Sequence, residues 1–100
     1  MTGRRTFMYK AFVCCKAGMG SSMLLKIKAD QVIKDNNYPI HTIHGSVDSL
    51  FSFNGDLVIT MADLKREIDG RFPYVIGVDH VIDKGELKNK LDVFLAQADH

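Results

Sequence analysis

The feature that most restricts the fold is an alternation. Short, β-rich apolar runs take turns with longer stretches of helical period, four times over in 100 residues. The first run, Lys10-Ala11-Phe12-Val13-Cys14-Cys15, is too short and too β-rich to be a helix by itself. A glycine-rich loop follows, Lys16-Ala17-Gly18-Met19-Gly20. Residues 21–36 read as a helix, with Leu25, Ala29, Val32 and Ile33 on one apolar stripe. Met23, Leu24 and Ile27 add a second apolar patch in its first turns. Asn37-Tyr38-Pro39 ends it, because a residue before proline avoids the α region. Residues 40–45 read as the second strand. Residues 46–55 hold at most one helical turn, around Leu50, Phe51 and Phe53, before the Asn54-Gly55 turn. Residues 56–60 are the third strand. Thr60-Met61-Ala62-Asp63 then offers an N-cap residue and a first-turn acid. Leu64 and Ile68 bury that short helix, and Gly70 stops it. Residues 74–78 are the fourth strand. Asp83-Lys84-Gly85-Glu86 has the form of a capping box, and Leu87, Leu91, Phe94 and Leu95 give the clearest helical period in the chain.

Strand and helix in alternation imply an α/β fold: a parallel sheet of four strands with helices on both faces and right-handed crossovers. The length suits one domain, expected over residues 9–100, with residues 1–8 a disordered tail. A net charge of +1 gives no reason to expect nucleic acid or anionic lipid as a partner. No apolar run approaches the roughly 20 residues that span a bilayer, so no direct membrane insertion is expected. The first ten residues lack the apolar stretch of an export signal. The two cysteines are neighbours, and neighbouring cysteines form only strained bridges that staple nothing. A reduced, cytoplasmic thiol is the expectation.

In sheets of this kind ligands sit at the carboxyl ends of the strands. The first strand is expected to end at Cys15, so chemistry is expected in the loop after it. There the first helical turn leaves backbone N–H groups unpaired and its dipole favours an anion. Gly18 and Gly20 let the backbone curl so that those groups point inward, and Ser21 and Ser22 add hydroxyl donors. Donors so placed stabilise a thiolate, which makes a thiol there a nucleophile, and the same ring can hold a phosphate. The nucleotide-binding loop with Gly-Lys-Ser/Thr is absent, and so is the dinucleotide fingerprint with its third glycine. Cys14 lies inside the strand and is expected in the core.

The stretch Val13-Cys14-Cys15-Lys16-Ala17-Gly18-Met19-Gly20-Ser21-Ser22-Met23 resembles the C-G-x-G-x-G-S-S-M segment of enzyme IIB of the ascorbate-type sugar phosphotransferase system, within the lactose/cellobiose/galactitol-like superfamily. The resemblance runs, more loosely, to Leu95. It implies a Rossmann-like four-stranded parallel sheet, expected in the order 2-1-3-4. It also implies a phosphocysteine at Cys15 and a phosphate loop of Lys16, Ala17, Gly18, Met19, Gly20, Ser21 and Ser22. The partners it implies are a phosphorylated IIA component, a IIC membrane permease and, through IIC, a sugar; the protein would sit in the cytoplasm, peripherally associated with the permease. No cofactor and no metal are expected. Lys16 stands where the family usually has glycine; it either strains the turn, assists the phosphate, or points into solvent.

Two other function classes stay open. The Cys-x₅ spacing compares with low-molecular-weight tyrosine phosphatases, but Ser21 holds the place of their arginine, and without that bidentate clamp hydrolysis is poorly supported. A stand-alone regulatory IIB-like domain is the third. His41 and His44, three apart on a strand, face opposite sides and cannot share an ion. His80 reads as a solvated loop residue. Met19, Met23 and Leu24 are either plain core or an adaptable docking surface.

Overall fold

Each strand is followed by a helix that carries the chain back to the starting end of the sheet, so neighbouring strands run parallel. The computed structural model describes residues 8–16, 19–80 and 83–98, without the side chains of Met19 and Ser21. The expected N-terminal tail (but for Met8), and Ala17 and Gly18 of the expected phosphate loop, lie outside the described residues. The elements are β1 (Tyr9–Val13), α1 (Met19–Asn36), β2 (Ile40–His44), α2 (Val47–Leu50), β3 (Leu57–Met61), α3 (Ala62–Ile68), β4 (Val75–Val78) and α4 (Lys84–Ala98). The sheet order is β2-β1-β3-β4, all parallel, as expected.

The strands are apolar on both faces because both faces are covered. Tyr9, Ala11, Val13, Leu57, Ile59, Ile76 and Val78 point toward Leu25, Ala29 and Val32 of α1 and Leu87, Leu91 and Phe94 of α4. Phe12, Cys14, Val58 and Val75 point the other way, toward Leu50 of α2 and Leu64 and Ile68 of α3. Gly77 of β4 is what lets α3 lie so close. A Cβ there would stand 2.7 and 2.8 Å from Lys65 Cδ and Cβ, closer than packed atoms tolerate, and a tight 3.1 Å from the Ala62 Cα.

Several element ends are built differently from expectation. Helix α1 begins at Met19, two residues earlier than its periodicity predicts. Its stop is set by Asn37, which takes the left-handed conformation (φ 56°), more than by the proline after it. The Asn37 and Tyr38 N–H groups donate back to Lys34 and Ile33 carbonyls at 3.3 and 3.0 Å, a Schellman closure. Thr60 does not cap α3. It is a fully buried member of β3, opposite Gly77, and the cap position falls to Met61, which has no side-chain bond to give. Sheet pairing won over the capping propensity because the ladder continues to Met61↔Val78. At α4 the capping box is half formed. Asp83 Oδ1 accepts the Glu86 N–H at 3.0 Å, while the Glu86 carboxylate accepts the N–H groups of Asp79 and His80 at 2.9 and 3.1 Å.

Candidate functional site

The strand order reverses direction between β1 and β3. Helix α1, after β1, leads toward one edge of the sheet and α3, after β3, toward the other; the carboxyl ends of those two strands are where sheets of this kind open a crevice for ligands. The two cysteines leave the sheet there. Strand pairing of β1 stops at Val13, two residues short of expectation, although the Cys14 N–H still reaches the Ile59 carbonyl at 3.2 Å. Cys14 is sealed in the α2/α3 core, as expected. Burial pushes its thiol from 9.0 up to about 11; the Thr60 hydroxyl pulls the other way and a charge on Cys15 adds to the rise. Cys15 is also buried, but it keeps 8% of its surface exposed where Cys14 keeps none.

The expected phosphate loop divides. Met19 and Gly20, with Ser21 and Ser22, lie in the first turn of α1 and not in a loop. Gly20 adopts no positive φ, and a Cβ added there meets nothing within 4 Å, so its conformation is one any residue could take. Asn37 alone among the described non-glycine residues has a positive φ, so Lys16 carries no such strain. The Lys16 ammonium is paired with the Glu67 carboxylate of α3. That hydrogen bond, with the Glu67 charge, raises the ammonium above its ordinary 10.5. Both side chains are about half exposed, so the pair is weakly held and open to exchange for another anion.

Ser22 is almost wholly buried, and its Oγ lies 2.6 Å from Nε2 of His44, the last residue of β2. Sequence reading passed over His44 because it asked only whether the residue could share a metal with His41. The usable signal was its place: the final residue of a strand adjacent to β1. Glu67 was missed as well, since nothing in a helical i, i+3, i+4 pattern announces a partner 51 positions away. His80 is exposed, as expected, but it meets Asp83 and Glu86, with one ligand atom from each within 4.8 Å of the others. The oxygens of that group already serve as caps and ion-pair partners, with Glu86 also 3.1 Å from Lys90 Nζ. Of the apolar residues in the first turns of α1, Met23, Leu24 and Ile27 are exposed, which separates them from the core stripe.

The sequence is similar to those of known proteins. The chain is similar to the ascorbate-specific PTS system EIIB component of Mycoplasma pneumoniae (strain ATCC 29342 / M129 / Subtype 1), with 27% identity over 84 residues, 81% of this chain and 88% of that protein. Residues 10–93, from β1 into α4, match the family described as PTS system, lactose/cellobiose specific IIB subunit. The match takes in all four strands and the crevice where Cys15 emerges, and the chain belongs to that family of phosphotransferase-system IIB subunits.

Proposed function

We propose that this protein is a phosphoryl carrier of a sugar phosphotransferase system and that Cys15 is the residue that carries the phosphate. The Cys15 thiolate attacks the phosphorus of a phosphohistidine on a IIA component. The S–P bond forms as the N–P bond breaks, and the imidazole leaves with its electron pair. In the second transfer a hydroxyl of a sugar held by the IIC permease attacks the phosphorus, loses its proton, and the Cys15 thiolate departs. The observation that carries this reading is the position of Cys15: it stands at the carboxyl end of β1, at the reversal of strand order, four residues before an 18-residue helix. N–H groups of the first turn of that helix, with Ser21 and Ser22 in it, support holding an anion beside the sulfur.

The exposed Met23, Leu24 and Ile27, one to two turns from the start of α1, support docking of the protein partners that must reach Cys15. No described helix is long and apolar enough to cross a membrane. We place the protein in the cytoplasm, meeting the membrane only through IIC. Ascorbate or a related sugar is the substrate class that the similarity favours. The test is incubation with phosphoenolpyruvate, the general phosphotransfer proteins and a candidate IIA component, followed by mapping of the label. Cys15→Ser abolishes acceptance and Cys14→Ser largely preserves it. Equal loss in two folded variants removes Cys15 from its role.

A further inference from the structure

The contact between Ser22 and His44 joins residues 22 positions apart at the end of the sheet where Cys15 emerges. His44 is held by its backbone to the strand that delivers Cys15. It is the register partner of Val13, and the next N–H, that of Gly45, donates to the Val13 carbonyl at 3.3 Å. Its side chain is held to the helix whose first turn follows Cys15, through the 2.6 Å bond to Ser22 Oγ. One residue therefore ties together the two elements that flank the cysteine.

The seam continues along α1 with the same chemistry. Lys26 and Asp30, one and two turns beyond Ser22, are joined at 2.7 Å, and the Thr42 hydroxyl donates to Asp30 Oδ1 at 2.5 Å. Thus α1 meets β2 through polar contacts as well as apolar ones. Apolar contacts are non-directional and tolerate a small slide, whereas hydrogen bonds lose strength steeply with misalignment. A polar seam therefore specifies the axial position of a helix more sharply. The His44–Ser22 bond survives either proton arrangement, since Nε2 can accept from the hydroxyl or donate to it.

We infer that His44 is a positioning residue for phosphoryl transfer: through Ser22 it sets where the first turn of α1 stands relative to Cys15. The inference rests on the carrier reading above, and its test separates the two. In single-turnover transfer from a phosphorylated IIA component, His44→Ala slows phosphorylation of Cys15 about tenfold, with the half-saturating IIA concentration unchanged. His44→Gln, which keeps a side-chain group able to donate or accept, recovers most of the rate. Ser22→Ala slows the reaction at least as much as His44→Ala, and the double variant is no slower than Ser22→Ala alone, because both remove the shared contact. Alkylation of Cys15 by iodoacetamide reads the same geometry without any partner. Its rate changes at least about twofold in His44→Ala and Ser22→Ala and returns toward wild type in His44→Gln. Wild-type rates of both transfer and alkylation in His44→Ala, or multiplying losses in the double variant, overturn the inference. Should wild-type Cys15 accept no phosphate, the carrier reading fails, and the alkylation series still decides whether His44 positions the turn. If His44→Ala does not fold, Ser22→Ala, which removes the same bond by deleting one oxygen, takes its place in both measurements.

Discussion

The two neighbouring cysteines are both buried, but only Cys15 keeps any exposed surface. Both lie just past the end of β1; Cys14 packs in the α2/α3 core, and Cys15 keeps 8% of its surface exposed. With its thiol pushed up to about 11, Cys14 holds about one part in a thousand as thiolate at pH 8. We expect iodoacetamide at pH 8 to label Cys15 in the folded protein and Cys14 only after denaturation, as mass mapping would read. Inorganic phosphate should slow the labelling of Cys15; no effect of phosphate removes the anion cradle. A second consequence at this scale concerns Ser21. A guanidinium at that position would grip the oxygens of the moving phosphoryl group in both attack and release, and a serine cannot. The expected outcome is slow hydrolysis of phospho-Cys15 and negligible aryl-phosphatase activity. Ser21→Arg, once shown to fold, should hydrolyse its phosphocysteine faster. Efficient wild-type turnover of an aryl phosphate would make the protein a phosphatase.

Among the elements, α4 shows how an end cap can be read as a titration. Burial opposes ionisation of Glu86, but the N–H groups of Asp79 and His80 and the Lys90 ammonium outweigh it, and its carboxyl is held below the ordinary 4.5. A depressed carboxylate contributes stability that is present in full above its unfolded value and is lost as pH falls through its folded value. Glu86→Gln should therefore cost about 1 kcal/mol at pH 7. The gap from wild type should close below about pH 4.5, as the wild-type carboxylate also protonates. Urea denaturation at pH 7 and pH 3 checks both statements, and a gap that widens at pH 3 contradicts them. The same carboxylate ties the exit of β4 to the start of α4, so this one side chain replaces the absent return half of the capping box.

At the scale of the whole molecule, stability and chemistry sit at opposite ends of the sheet. Phe94 of α4 packs edge-on against Tyr9, at the amino end of β1, with ring centroids 5.3 Å apart, and against Tyr74, just before β4, at 5.1 Å. Cys15, Lys16 and His44 lie beyond the carboxyl ends of the strands or close them. Phe94→Ala should lower stability by about 3–5 kcal/mol, a large share of what a domain of this size has. The thermal midpoint should fall by on the order of 15 °C or more. At a temperature where the variant is still folded, Cys15 should alkylate at the wild-type rate, because Tyr9 and Tyr74 stand at the amino ends of β1 and β4 and Cys15 lies beyond the carboxyl end of β1. A changed rate there would show that the ends are coupled.

What the sequence determined by itself is what depends on local pattern. Apolar runs of period two and stripes of helical period are set by side-chain chemistry within a few residues, so the four strands, the main helices and the burial of Cys14 could be read directly. The shared segment around Cys15 made the family legible for the same reason: the residues of that turn are contiguous in the chain. What only the tertiary structure decided is everything that depends on partners distant in the chain. Thr60 was taken from helix capping by its pairing with Gly77. Lys16 was given to Glu67, and Ser22 to His44, across separations of 51 and 22 residues. The early start of α1 placed Met19 and Gly20 of the expected loop inside the helix. Such contacts form where the sheet brings strand ends and helix turns together, and no local propensity encodes which of the many distant polar groups arrives within 3 Å.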